Sequence, residues 1–136
     1  MPESTARALF AARLVQARQL RGLSQRALGD RMGLGKEKGS SRINRYEHQV
    51  TAIGFDNLET LAQALDVPVA YLLANNAPMA DAILALSHAE DAQLDALADV
   101  IPALVENPDL LQKLVKLLQL PKREQTKTLK ALADEK

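Results

Sequence analysis

Between Gly33 and Glu47 the chain reads GLGKEKGSSRINRYE, and this stretch holds most of its candidate chemistry. A pair of serines, Ser40 and Ser41, is followed by Arg42, Asn44 and Arg45, with Lys36 and Lys38 just ahead. Arg and Asn can make bidentate contacts to guanine and adenine edges. Serine hydroxyls and the free amides of a helix start suit phosphate oxygens. Lysines in the preceding turn would neutralise phosphate charge. The glycines also suggest the phosphate loop of an enzyme, but the spacing is wrong. A Walker loop needs lysine directly after its last glycine, then Ser or Thr. Here Gly39 leads into Ser40 and Ser41. No strand pattern precedes the loop, as a dinucleotide fold requires.

Other chemistry is thinner. His48 and His88 lie far apart with no histidine near either. Asp91, Asp95 and Asp99 recur every fourth residue, which could hold a cation. Beside the apolar seam of Leu94, Leu97 and Ile101 they read better as a solvated helix face. The chain has no cysteine, which excludes disulfides and cysteine-based zinc sites. No serine pairs with a base in a catalytic pattern. No enzymatic activity, cofactor or metal is therefore expected.

The elements that must position these residues are all helical by pattern. Ser4 or Thr5 can cap a first helix whose Phe10, Leu14 and Ala17 make one apolar face, with Gly22 as its stop. Ser24 caps a second, short helix carrying Leu28 and Met32, ended by Gly33. Ile43 and Tyr46 suggest a third helix starting near Ser40, with the glycines before it as turn punctuation. Asp56 and Glu59 read as a capping box ahead of Leu58, Leu61, Ala62 and Leu65. Pro68 opens a fifth helix ending at Leu72–Leu73.

The stretch Ala74–Met79 breaks the periodicity and divides the chain into residues 1–76 and 77–136. Beyond it, a helix from about Met79 to Leu86 is followed by Ser87 and Glu90 as a second capping box. Leu94, Leu97, Ile101 and Leu104 form a seam with Pro102 as a kink. Asn107 with Pro108, and then Pro121, start two more helices.

At 136 residues the chain has room for one domain with a tail, or two small units. Aromatics are only 3%, so the core must be aliphatic. No run approaches a membrane span, and the first ten residues lack a signal-peptide core. A cytoplasmic location fits. Net charge is zero, but residues 1–50 carry ten Lys and Arg against four acids. A basic front and an acidic back point to a polyanion as partner of the front.

The order of parts resembles the Cro/repressor-type (xenobiotic-response-element-like) helix-turn-helix family. RLVQARQLRGLSQRAL is similar to its first helix and Leu-Ser-Gln second helix. INRYE is similar to the end of its recognition helix, and LETLAQALDVPVAYLL to its closing helix pair. The matching residues are spread from Phe10 to Leu73, about half the chain. The resemblance implies an all-α, five-helix, lambda-repressor-like DNA-binding domain, here followed by a small helical C-terminal region. It implies that Gln25 grips a phosphate, that residues 40–45 face the groove, and that Arg18 supports the fold by pairing with an acid such as Glu47. The sequence departs from the family at Gly29, where alanine is usual. It departs also at Gln49, where glycine is usual, at Ile53, where proline is usual, and in a longer turn before the third helix.

The expected function is a sequence-specific transcriptional regulator, a repressor, binding double-stranded DNA through Gln25, Lys36, Lys38, Ser40, Ser41, Arg42, Asn44 and Arg45. A homodimer through residues 79–136 is expected, because a single small reader offers few base contacts. A chain cut at Asn76 is then expected to stay folded and become monomeric. The competing reading is an antitoxin-like or adaptor module using the same fold without reading DNA.

Overall fold

The computed structural model describes residues 5–35 and 37–134, and every regular element in it is helical. The helices are α1 (Ala6–Leu20), α2 (Gln25–Arg31), α3 (Lys38–Glu47), α4 (Phe55–Leu65), α5 (Val69–Leu72), α6 (Ala77–Ser87), α7 (Asp91–Glu106), α8 (Pro108–Gln119) and α9 (Lys122–Asp134). They fall into two compact units, one up to Ala89 and one from Glu90. None of the described helices is long and apolar enough to cross a membrane.

Local chemistry sets most of the ends. The Thr5 hydroxyl accepts from the Ala8 amide at 3.1 Å and starts α1; Ser24 does the same for Ala27 at 3.0 Å and starts α2. Gly22 and Gly33 then take φ of 65° and 76°, the left-handed turn that glycine adopts without penalty. Asn107 caps α8 through Leu110, with Pro108 at the first helical position, as expected.

Two caps differ from the pattern. The N-cap of α4 is Gly54, and Asp56 lies inside the first turn, where its charge favours the helix N-terminus. Ser87 closes α6, and α7 is capped by Glu90, whose amide donates to Gln93 Oε1 at 2.9 Å in a capping box of its own. At Pro102 α7 continues without interruption as far as Glu106.

The core of the first unit is the set of apolar faces expected from periodicity. Phe10, Leu14 and Ala17 of α1, Leu28 of α2, Ile43 and Tyr46 of α3, and Leu58, Leu61, Ala62 and Leu65 of α4 are all buried. Phe10 and Tyr46 meet edge to face with ring centroids 6.1 Å apart, tying α1 to α3.

The unit does not stop at residue 76. Asn76 caps α6 through the Met79 amide, and the fully buried Ala80 joins the core. Gln16 of α1 reaches Asp81 at 3.4 Å. The stretch Ala74–Met79 is thus a joint within the first unit, and a cut at Asn76 would strip a packed helix from it.

In the second unit α7 and α8 pack together, yet no residue of α7, α8 or α9 is buried. Leu97, Leu104, Leu114 and Leu117 are half-buried at best.

Candidate nucleic-acid interface

Gln25 opens α2, and the third helix carries six of the eight candidate residues. It begins at Lys38, two residues ahead of the expected start, and Gly39 lies in its first turn rather than in the preceding loop. Gly39 makes a backbone contact between helices there. A Cβ on Gly29 of α2 would lie 2.6 Å from the Cα of Gly39, and one on Gly39 would lie 2.9 Å from the Cα of Gly29. Only two glycines allow α2 and α3 to approach this closely. The unusual Gly29 is thereby accounted for, and Gly39 is a packing residue, not turn punctuation.

A buried carboxylate fixes the far end of α3. The Glu47 side chain is only 5% exposed, and its Oε1 accepts from Arg18 Nε at 2.6 Å. Its Oε2 accepts from Gln25 Nε2 at 2.5 Å and, more distantly, from Arg18 Nη2 at 3.4 Å. Arg18 Nη1 also donates to the Leu23 carbonyl at 3.0 Å. One carboxylate therefore joins α1, the start of α2 and the end of α3. The expected Arg18–Glu47 pair is present. The Gln25 amide, expected at a phosphate, gives one N–H to Glu47 and keeps its second. Its Oε1 accepts from Asn44 Nδ2 at 3.5 Å, so Asn44 leans towards Gln25.

With Ile43 and Tyr46 buried and Glu47 held, the opposite face of α3 is left in solvent. Lys38, Ser41, Arg42, Asn44 and Arg45 are exposed, while Ser40 is half-buried. Lys38, Ser41, Arg42 and Arg45 line one open cleft of about 450 Å³ together with Thr51 and Ala52 of the following loop. Asn44 and Gln25 form a separate polar pair beside it. Lys36 lies outside the described residues.

The pattern of residues gave no signal for Thr51, because a lone threonine in a loop has no periodicity to mark it. The link from Glu47 to Gln25 was equally hidden, being a contact across 22 positions.

The basic front is also less free than its charge count suggests. Arg21 donates to the carbonyls of Leu65 at 2.8 Å and Asp66 at 2.6 Å, and Arg31 to that of Ala64 at 3.4 Å. Both guanidinium groups thus sit at the C-terminal end of α4, where the helix dipole favours cations. Together with Arg18 they serve the fold. The α3 cations Lys38, Arg42 and Arg45 are exposed.

Directly after α3, Gln49 holds φ at 61°, a left-handed conformation that costs a residue with a Cβ. Gln49→Gly is expected to raise stability by about 1 kcal/mol. Thermal unfolding checks this, and an unchanged or lower midpoint would show that the position carries no strain.

A helix-turn-helix family model matches residues 14–72, from mid-α1 to the end of α5. Among solved structures, the chain is similar to the crystal structure of the transcriptional regulator BswR. That likeness has 32% sequence identity and a TM-score of 0.62, and it covers 71% of this chain and 95% of that one. A comparison with curated proteins finds no match. On the matched helices, the order of their parts and this likeness, the chain belongs to the Cro/repressor-type helix-turn-helix family of transcriptional regulators.

Proposed function

We propose that the protein binds double-stranded DNA sequence-specifically, inserting α3 into the major groove, and represses by occupying its operator as a homodimer. One observation carries the reading. The outer face of α3 exposes Ser41, Asn44 and Arg45, while its inner face is locked by a glycine contact, two buried side chains and a buried carboxylate. A reading helix needs this combination, since base contacts demand a fixed axis and exposed polar tips.

In this reading Asn44 and Arg45 touch base edges, and Ser40, Ser41 and Gln25 hold phosphates. Lys36, Lys38 and Arg42 supply charge to the backbone. The first unit binds DNA and the second pairs two copies, starting later than residue 79 because α6 packs into the first unit.

Selection of bound sequences from random duplexes, followed by titration of the winner, is the test. Asn44→Ala and Arg45→Ala should each weaken specific binding by about 1–3 kcal/mol and relax preference at one base pair. Lys38→Ala should weaken all sequences alike and flatten the salt slope by about one unit. If both α3 variants keep the full sequence preference, α3 is not the reader. An adaptor with this fold would select no sequence and show no steep salt dependence.

A further inference from the structure

The second unit leaves its apolar surface in water. Ile101 and Val105 of α7, Leu110 and Leu118 of α8, and Leu129 and Leu132 of α9 are all exposed, Val105 at 72% and Leu118 at 64%. Soluble monomers rarely show so much uncovered aliphatic surface on so short a segment. The helices themselves are well made. Each of α8 and α9 presents one strongly apolar side, and α7 and α8 carry defined caps. The surface is therefore a face awaiting a cover.

Charge says what the cover is. With its cap Glu90, α7 carries Asp91, Asp95, Asp99 and Glu106, and no Lys or Arg. Across α8 and α9 six bases stand against the three acids Asp109, Glu124 and Asp134. Among the described residues no ion pair joins these opposite charges within the unit. A two-fold interface must be self-complementary. Laying α7 on the partner's α7 would set acid against acid, and laying α8–α9 on its like would set base against base. Laying α7 on the partner's α8–α9 pairs opposite charges twice, once on each side of the axis.

From this juxtaposition we infer that a second copy of this chain covers the face, with the acidic α7 of each protomer seated against the basic α8–α9 of the other. The inference rests on the homodimer reading above and adds its register. Exposed rim charges contribute little affinity, but like-charge contacts exclude the wrong arrangement. Partner choice is thus written in charge, while the aliphatic side chains hold the pair.

Complementary charge reversal in the full chain tests this. One variant carries Asp91→Lys, Asp95→Lys and Asp99→Lys. The other carries Lys122→Glu, Arg123→Glu, Lys127→Glu and Lys130→Glu. By sedimentation at micromolar concentration each variant alone should be at least tenfold poorer at self-association than the natural chain. An equimolar mixture should form a heterodimer approaching the natural affinity. Circular dichroism of the mixture should regain any helicity the single variants lose, which separates repulsion from failure to fold. Variants that still self-associate alone, or a mixture that does not recover, would overturn the register while leaving the homodimer intact. A natural chain that is monomeric under the same conditions would overturn both, and would favour a different protein as the cover.

Discussion

Glu47→Ala is expected to destabilise the first unit by about 3–5 kcal/mol, the usual cost of removing one partner of a buried ion pair. The lost group is a carboxylate at 5% exposure that accepts from Arg18 and Gln25 at 2.6 and 2.5 Å. Arg18 is left with its charge largely out of water and only the Leu23 carbonyl as a strong partner. Three helices lose their common tie at once. For a domain of this size the midpoint of thermal unfolding should fall by on the order of 15 °C or more. Glu47→Gln keeps an acceptor and the side-chain volume, and should lose markedly less. Thermal melts of the two variants decide the matter. A fall of under about 1 kcal/mol for the alanine variant would place the pair with ordinary surface salt bridges.

Gly29→Val, in α2, should cost about 3 kcal/mol through overpacking. Its new Cβ would stand 2.6 Å from one Gly39 backbone atom and 2.7 Å from another, and backbone cannot move aside as a flexible side chain can. The helices must separate by about 1 Å to reach ordinary van der Waals distance. Gly29→Ala gains about 1 kcal/mol in helix propensity yet still meets the same atoms, so it too should lose stability. Gly35→Ala is the control, because nothing lies within 4 Å of the position its Cβ would take. DNA binding by Gly29→Val should drop further than the loss of folded protein explains, since α3 moves. Equal melts for the position-29 and position-35 variants would show that the glycine contact does not constrain the fold.

Much of this architecture is legible in the residues because helix faces obey a short-range rule. Phe10, Leu14 and Ala17, or Leu58, Leu61, Ala62 and Leu65, announce their burial by spacing alone. Thr5, Ser24 and Asn107 announce helix starts, since a cap bonds to an amide three positions on. The same rule misleads where several cap patterns overlap. Around Asp56 and Ser87 an acid follows at the capping-box interval, yet the helices begin at Phe55 and Asp91. Long-range contacts escape such rules. Glycine marks a turn locally, and nothing local distinguishes Gly33, which makes one, from Gly39, which lets two helices touch. Nor does Asn-Asn-Ala-Pro reveal that Ala80 beyond it is buried. At the site, the identity of the exposed α3 residues is legible from the sequence, whereas the carboxylate holding Gln25 becomes visible only once three helices are placed.

The contact between Gly29 and Gly39 also bears on how this protein can vary. In many hairpins of helices the connecting loop sets the angle between them, so its length is under tight constraint. Here the angle is set by backbone against backbone, at a point outside the loop. The loop is bonded into the same junction, for the Leu34 amide donates to the Gly29 carbonyl and the Gly39 amide to that of Gly35. Neither glycine can gain a side chain without parting α2 from α3, and changing both would only add a second clash. Divergence among descendants of this chain should accordingly spare the two glycines and fall on the exposed side of α3, altering what that side can touch while the helix angle stays as it is.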